Sequence, residues 1–235
     1  MPGFSESAAG VDEHLGDVIR TMGHDLRNKL GVMRNSAYYL NMKVGDQGEK
    51  LAKHVGILLR QIDISSWIIG NLMDLTAPKV PTPGEADLNA LVSDVLRRST
   101  IPEGVNITRM LAPNLPTIRA DAEQLGRALE NIVVCQCAGL GEDHDLRVVS
   151  RMYGGKVCVE LTDSGPGLSD EELAGLFDLE LAGSFSALNV GLVVARRLTE
   201  LNHGHLEVES KQGIGTRFSI VIPALDALQE PLSNP

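Results

Sequence analysis

Apolar residues recur at every third or fourth position along two long stretches near the beginning of the chain, a spacing typical of helices with one apolar face. In residues 11–43 the positions of this stripe are Leu15, Ile19, Met22, Leu26, Leu30, Met33, Ala37 and Leu40. In residues 51–76 they are Leu51, Val55, Leu58, Ile62, Ser65, Ile69, Leu72 and Leu75. Turn-forming residues at 44–48 separate the two stretches, so the pattern predicts an antiparallel helical hairpin.

A single hairpin of this kind has no element of its own to cover its apolar face. Two copies of the hairpin would bury these faces against each other in a four-helix bundle. We therefore expect a homodimer that forms through residues 11–76.

The chain changes character after the hairpin, because prolines and a glycine crowd residues 78–84 and predict a linker over 77–86. Further on, helical spacing is interspersed with short stretches of alternating apolar and polar residues. The predicted helices are 88–96, 121–137 and 188–201, and the predicted strands are 105–110, 146–152, 157–162, 205–210 and 216–222. This mixture predicts an α+β fold class, with an α/β sandwich over residues 87–224. Residues 1–10 are expected to be flexible and residues 225–235 to form a frayed tail.

Composition narrows the classes of partner. The net charge of -10 opposes binding to nucleic acids or to anionic membranes. The three cysteines, Cys135, Cys137 and Cys158, are odd in number and lack a second ligand pair at zinc spacing, which predicts buried thiols and no metal site. No apolar run approaches the length of a membrane span, and residues 1–10 lack the basic region of a signal peptide. We expect a cytoplasmic protein.

The first candidate for chemistry lies in residues 24–30, within the first predicted helix. His24 falls outside the apolar stripe, and Asp25 can hold its imidazole in one tautomer, which leaves a neutral ring nitrogen as a nucleophile toward phosphorus. Asn28 lies one helical turn further on and can position a water molecule or an aspartyl phosphate. Arg27 supplies positive charge for a phosphate. A solvated polar face is the alternative interpretation of these four residues.

This stretch resembles the H-box of bacterial two-component histidine kinases, whose pattern is His, acidic, Leu, Arg or Lys, polar, Pro, Leu. Every position matches except the proline, which is replaced by Lys29. The resemblance implies that His24 carries a phosphoryl group. Because the proline usually kinks this helix, we expect a straighter helix here.

Residues 121–135 resemble the N-box helix of the same family, usually Asp-x-x-x-Leu-x-x-x-Leu-x-Asn-Leu-Leu-x-Asn-Ala. Asn131 matches the first asparagine, whereas Cys135 stands where the second asparagine of the family helps to hold Mg²⁺. Mg²⁺ prefers oxygen ligands and binds thiols poorly. The basic residue that usually follows is also absent from residues 136–141. A plain amphipathic core helix is the alternative interpretation.

Residues 163–168 follow a predicted strand and resemble the D-x-G-x-G motif of the family's GHKL-type ATPase fold. The resemblance implies that Asp163 accepts the amino group of adenine, while Gly165 and Gly167 let the backbone approach the base. A glycine-rich turn without a ligand is the alternative. In residues 189–198, which resemble the family's Gly-x-Gly-Leu motif, Gly191 is retained for phosphate binding, but Asn189 replaces the first glycine.

The final motif, residues 213–218, is similar to the closing G-x-G-T-x-F pattern and contributes Thr216 to the predicted cofactor site. Between these motifs, Phe177 matches the first aromatic residue that anchors the family's ATP lid, but Glu180 and Leu181 replace the second aromatic pair. Residues 181–188 contain no lysine or arginine that could pair with a triphosphate. The whole resemblance covers residues 11–223.

Three functions are compatible with these residues. In a histidine phosphotransferase, His24 would exchange a phosphoryl group with an aspartate of a response-regulator receiver domain, which would itself supply Mg²⁺. In an autokinase, His24 would be phosphorylated by ATP, and in a pseudokinase scaffold the chain would only bind a regulator. The changes at the Mg²⁺, lid and phosphate positions favour the first, whereas the retained Asp163, Gly165 and Gly167 oppose it. We expect at most weak ATP or ADP binding that depends little on Mg²⁺.

Overall fold

The computed structural model describes residues 26–40, 42, 49–76, 79–102, 104–138, 140, 143–178 and 187–225. The chain divides into two units, Met1–Lys79 and Val80–Pro235. Within the described part of the chain, no helix combines the length and the apolar character that are needed to cross a membrane.

The described residues of the first unit form two helices, as the hydrophobic spacing predicts. Helix α1 is described over residues 26–40 and at 42, and helix α2 is Glu49–Thr76. The predicted turn at 44–48 lies outside the described residues. Among the described residues of this unit, two apolar side chains are buried, Ala37 and Val55. Many large ones are exposed: Leu26, Val32, Met33, Tyr38, Tyr39, Leu40, Met42, Leu51, Ile57, Leu58, Ile64, Ile68 and Leu72.

The second unit is a sheet with helices, which confirms the α+β fold class. Its strands are β1 (Gly84–Ala86), β2 (Asn106–Leu111), β3 (Ile118–Ala120), β4 (Asp145–Tyr153), β5 (Lys156–Asp163), β6 (His205–Lys211) and β7 (Gly215–Pro223). Its helices are α3 (Leu88–Arg98), α4 (Ala122–Ala138), α5 (Asp170–Ala174) and α6 (Ala187–Leu201). All five predicted strands and the three predicted helices of this unit are present.

The main sheet has five strands in the order β2-β4-β5-β7-β6. Strands β2 and β4 pair in parallel, and the other neighbours are antiparallel. A second, two-stranded sheet pairs β1 with β3. The prediction of a linker over 77–86 is therefore wrong at its end, because Gly84–Ala86 forms β1 and pairs with Ile118–Ala120.

The core lies between the helices and one face of the main sheet. Helix α4 packs against α3 and α6. Its buried side chains recur at helical spacing, and several are fully covered: Leu125, Leu129 and Ile132. The sheet contributes alternate residues from β5 and β7, including Leu161, Ile220 and Ile222. Alternation along a strand places every second side chain on the same face, which explains this set.

A buried polar network fixes the beginning of α4. Oδ2 of Asp121 accepts hydrogen bonds from the backbone N–H (2.8 Å) and the hydroxyl (3.0 Å) of Thr82, and Oδ1 accepts from the N–H of Gln124 at 3.1 Å. Oδ1 of Asn202 accepts from the N–H of Asp121 at 2.6 Å, and its Nδ2 donates to Oε1 of Gln124 at 3.0 Å. The network ties the segment before β1 to α4 and to the end of α6, which stabilises the edge of the core.

Candidate functional site

The predicted phosphoryl site falls partly outside the described structure. His24 and Asp25 are not among the described residues. Of the other predicted catalytic residues, Arg27 is half-buried and Asn28 is exposed, and both lie in the first turns of the described part of α1. The roles of all four residues therefore stay predictions.

The described part of the site is built around Asp163, the last residue of β5. Pairing of β5 with β7 places the end of β5 beside the beginning of β7, where Thr216 lies. Oδ1 of Asp163 accepts hydrogen bonds from the backbone N–H of Gly165 at 2.8 Å and of Thr216 at 3.2 Å. The carboxylate is nearly buried, with 8% of the residue exposed. The fold thus brings Gly165 of the 163–168 motif and Thr216 of the 213–218 motif onto one acceptor, the carboxylate of Asp163.

Helix α4 brings a further residue onto the same carboxylate. Nε2 of Gln136 donates to Oδ2 of Asp163 at 3.1 Å, and also approaches the carbonyl oxygens of Leu161 at 3.0 Å and Thr216 at 3.2 Å. A carboxamide nitrogen carries two N–H groups, so the three acceptors share two donors. The opposite orientation would set the amide oxygen against three oxygens. The surroundings therefore dictate that the nitrogen faces Asp163.

The glycines of this region are required by the packing of the chain on itself. A Cβ atom on Gly167, whose φ is +66°, would lie 2.1 Å from the carbonyl oxygen of Lys211. A Cβ atom on Gly165 would lie 2.9 Å from Cδ2 of Leu140. At Gly215, with φ of +138°, it would lie 2.0 Å from the carbonyl oxygen of Asp163. These glycines therefore need no nucleotide to explain their presence.

The position predicted to have lost its Mg²⁺ ligand is chemically unsuited to Mg²⁺. Burial, followed by the negative charge of Asp163, raises the pKa of the Cys135 thiol to about 12. The same two causes raise the pKa of Cys137 to about 11. Both cysteines are therefore neutral thiols at physiological pH. Asn131, which matches the first asparagine of the N-box, is buried on the same helix. Within the described ranges, no three His, Cys, Asp or Glu side chains form a group that could hold a metal ion.

The backbone around Gly191, where the resemblance predicts phosphate binding, differs from the family pattern. Helix α6 is Ala187–Leu201, so Asn189 and Gly191 both lie within it. The N–H of Gly191 stands four residues after Ala187, where it is within the helix's own ladder rather than among the free N–H groups of the first turn. The guanidinium of Arg196 lies 5.3 Å from the ring centroid of Phe177, the predicted lid anchor. Residues 179–186, which include most of the predicted lid, lie outside the described residues.

Sequence reasoning missed two residues of this site, Gln136 and Leu140. Both approach the Asp163 loop only because α4 and its following turn pack beside β5. For Gln136 a signal was present, because the family pattern has alanine there and a buried amide needs hydrogen-bond partners.

Comparison with known proteins agrees with this geometry. Residues 120–226 match the family described as histidine kinase-, DNA gyrase B- and HSP90-like ATPases. The chain is 23% identical over 222 residues to the sensor histidine kinase ZraS of Escherichia coli strain K12, with coverage of 92% of this chain and 47% of ZraS. It is 27% identical over 222 residues to the sensory histidine kinase/phosphatase NtrB of Vibrio alginolyticus, with coverage of 88% of this chain and 62% of NtrB.

Solved structures show the same fold. Full-length ShkA in complex with AMPPNP aligns with a TM-score of 0.66 at 20% identity, over 88% of this chain and 46% of ShkA. The histidine kinase ThkA in complex with the response regulator TrrA aligns with a TM-score of 0.60 at 21% identity, over 92% of this chain and 63% of ThkA. The protein is therefore related to the core of two-component histidine kinases, with an ATPase-family domain at residues 120–226. The chain spans about half the length of the ZraS relative.

Proposed function

We propose that this protein is a histidine phosphotransferase of a two-component phosphorelay. In this function a ring nitrogen of His24 attacks the phosphorus atom of an aspartyl phosphate on a receiver domain. The N–P bond forms as the P–O bond to the aspartate breaks, and the aspartate leaves as a carboxylate. The reverse reaction delivers the phosphoryl group to a second receiver, and Mg²⁺ comes from the receiver in both directions.

The observation that carries this proposal is the half-buried, neutral thiol of Cys135 at the position where the family resemblance expects a Mg²⁺ ligand. Transfer from ATP needs Mg²⁺ to neutralise charge on the triphosphate. A thiol whose pKa is about 12 stays protonated at physiological pH, so Cys135 offers neither the oxygen ligand that Mg²⁺ prefers nor a thiolate. Transfer from a receiver domain does not use this position, so its loss is compatible with phosphotransfer and opposes autokinase activity.

The roles of the neighbouring residues follow from their chemistry. Asp25 orients the imidazole of His24, and Arg27 offers a guanidinium to the transferred group. Asn28, which is exposed on α1, faces the partner and positions the attacking group or a water molecule. The exposed apolar side chains of α1 and α2 support a homodimer.

The partner we propose is a receiver domain, met in the cytoplasm. The names of the relatives support this choice, since ThkA was solved with a response regulator and NtrB is a kinase/phosphatase. Weak ATP or ADP binding through Asp163 is part of the proposal, with Asn131, Gly165, Gly167, Gly191 and Thr216 as the other predicted cofactor contacts.

An ATP-dependent autokinase is the second candidate. It is favoured by the fold and by the AMPPNP in the ShkA complex. In that case Asp163 would hold adenine and the lid would close without cations of its own. A scaffold that only binds a regulator is the third candidate.

Two labelling reactions separate these functions. In one, the protein is incubated with γ-labelled ATP and Mg²⁺, and in the other with a phosphorylated receiver domain. We expect label on the protein only in the second reaction. Label from ATP alone would support the autokinase, and label in neither reaction would support the scaffold.

A further inference from the structure

The side-chain amide of Gln136 occupies the acceptor that the family resemblance assigns to adenine. It donates to Oδ2 of Asp163 at 3.1 Å from a nearly buried position, with 4% of Gln136 exposed. The 6-amino group of adenine and the amide of glutamine are both planar NH₂ groups with two donors. Either group can therefore make the same hydrogen bond to Asp163, but the two cannot occupy the place together.

We propose that Gln136 is an internal substitute for adenine, which an adenine nucleoside must displace before it can bind to Asp163. The inference rests on the proposed function for one point, the predicted role of Asp163 as the adenine acceptor. It gives the predicted weak nucleotide binding a second cause, the side chain of Gln136, besides the missing Mg²⁺ ligand.

Two further observations support this assignment. First, Oε1 of Gln136 is buried without a hydrogen-bond partner in the described part of the chain, whereas Nε2 has three acceptors. A buried acceptor left unpaired is costly, so the side chain is held in place by its donors. Second, the N-box pattern has alanine at this position, and a methyl group cannot reach Asp163.

Leu140 approaches the same loop at Gly165. Its Cδ2 atom lies 2.9 Å from the point where a Cβ atom on Gly165 would be. The resemblance predicts that the base approaches Gly165 closely. Leu140 of the same chain already approaches this glycine. The contacts of Gln136 with Asp163 and of Leu140 with the Gly165 position are thus both made within the protein.

The test is binding of adenosine, which carries neither phosphate nor a need for Mg²⁺. Titration calorimetry in the presence of a chelator compares the unmodified protein with Gln136→Ala. We expect Gln136→Ala to bind adenosine at least about tenfold more tightly, because the nucleoside no longer competes with an internal donor. Inosine has a carbonyl group in place of the 6-amino group, so it should show no such gain.

Two control variants make the result specific. Gln124→Ala removes another buried glutamine of α4, one whose Oε1 accepts a hydrogen bond from Asn202 instead. It should bind adenosine no better than the unmodified protein. Adding Asp163→Asn to Gln136→Ala replaces one acceptor oxygen with an NH₂ group and should remove the gain.

Three outcomes would overturn the proposal. The first is a folded Gln136→Ala protein with unchanged adenosine affinity, and the second is a gain of equal size with inosine. If Gln136→Ala does not fold, Gln136→Asn replaces it, since this amide is one methylene too short to reach Asp163. The third outcome is that neither variant folds, which would make the amide a structural requirement. The transfer of phosphoryl from a receiver to His24 is read in a separate assay, so either idea can fail alone.

Discussion

The helices of the two units have the same apolar spacing but differ in how much of it they bury. In α4, which packs against α6, α3 and β5, Leu129 lies on the stripe and is 1% exposed. In α2, Leu58 lies on an equivalent stripe and is 55% exposed. Periodicity therefore predicts which face of a helix is apolar, but it does not predict which element covers that face. For α4 the chain supplies it, and for α1 and α2 we expect a second copy to supply it.

The polar residues of the candidate sites in the two units also differ in burial. Around Asp163 and Asp121, polar groups are buried and hydrogen-bond to one another within the chain, except Oε1 of Gln136. On α1, Asn28 is exposed and available to a partner. This contrast supports the proposal that phosphoryl chemistry takes place on the first unit, and that the buried groups around Asp163 have a mainly structural role.

The strongest way to break this contrast is to remove the predicted phosphoryl carrier. His24→Ala should abolish phosphorylation of the protein by a phosphorylated receiver, because no other group offers the nucleophile in this motif. Asp25→Ala should slow transfer, by up to about 10²–10⁴-fold if orientation of the imidazole acts as in general acid–base steps. Asn28→Ala should alter turnover of the phosphorylated receiver. Each rate is measured from loss of label on the receiver.

His54 provides the matched control for this experiment, since it is an exposed histidine of α2 outside any such motif. His54→Ala should transfer at the normal rate. Undiminished labelling of His24→Ala would place the chemistry elsewhere and refute the contrast between the units.

The next largest effect concerns the uncovered faces. Replacing Leu58 and Ile62 with glutamate should convert the dimer to monomers or unfold the hairpin, because a charge buried without a partner in an apolar bundle is costly. Each lost leucine or isoleucine side chain also removes about 1.5–3 kcal/mol of burial. Light scattering of the full chain measures the mass. Gln61→Glu, at an exposed position of the same helix, adds charge and should leave the dimer intact.

How far the sequence predicts the fold depends on the length of each element. The long helices and the five strands of the main sheet are periodic and were predictable. Strands β1 and β3 have three residues each, too few for a pattern, and exist because they pair with each other. Helix α5 is also short, but Ser169 and Glu172 form a capping box that its sequence could have revealed.

The candidate site was predictable only as far as its motifs. The pattern around Asp163 identified an acceptor, and the pairing of β5 with β7 brought Thr216 to it. The approach of Gln136 depends on how α4 packs on the sheet, a contact between residues 27 positions apart. No local pattern encodes such a contact, since it arises from the packing of whole elements.

A smaller effect tests whether the second unit depends on its own buried polar groups. Asn202→Ala removes the acceptor of the Asp121 N–H and the donor to Gln124. Buried groups left unpaired cost about 1–3 kcal/mol each, so we expect a loss of about 2–4 kcal/mol in the free energy of unfolding. Urea unfolding followed by circular dichroism measures it. Asn106→Ala, at an exposed position of β2, should cost under about 0.5 kcal/mol, and an equal cost for both would contradict the prediction.

The smallest effect is the contribution of Asp121 to stability as the pH falls. Burial alone would raise the pKa of this carboxyl group, but hydrogen bonds from Thr82, Gln124 and Glu123 outweigh burial and lower it below its ordinary value of 3.8. A carboxyl group whose pKa is lower in the folded state stabilises the fold fully at pH values above its unfolded pKa. That stability is lost as the pH falls through the folded pKa, because the unfolded chain then binds more protons than the folded one.

Unfolding free energies of the unmodified protein should therefore decline between about pH 5 and pH 3, and Asp121→Asn should decline less steeply, since its side chain does not titrate. At neutral pH the variant should already be less stable, because Asn offers only one acceptor oxygen to the donors of Thr82 and Gln124. Glu172 also has a lowered pKa, through its hydrogen bonds with Ser169, but it is fully exposed. Glu172→Gln should flatten the decline less than Asp121→Asn does, because solvent screens its interactions. Equal slopes for the unmodified protein and Asp121→Asn would show that the buried network does not hold the carboxylate in its charged form.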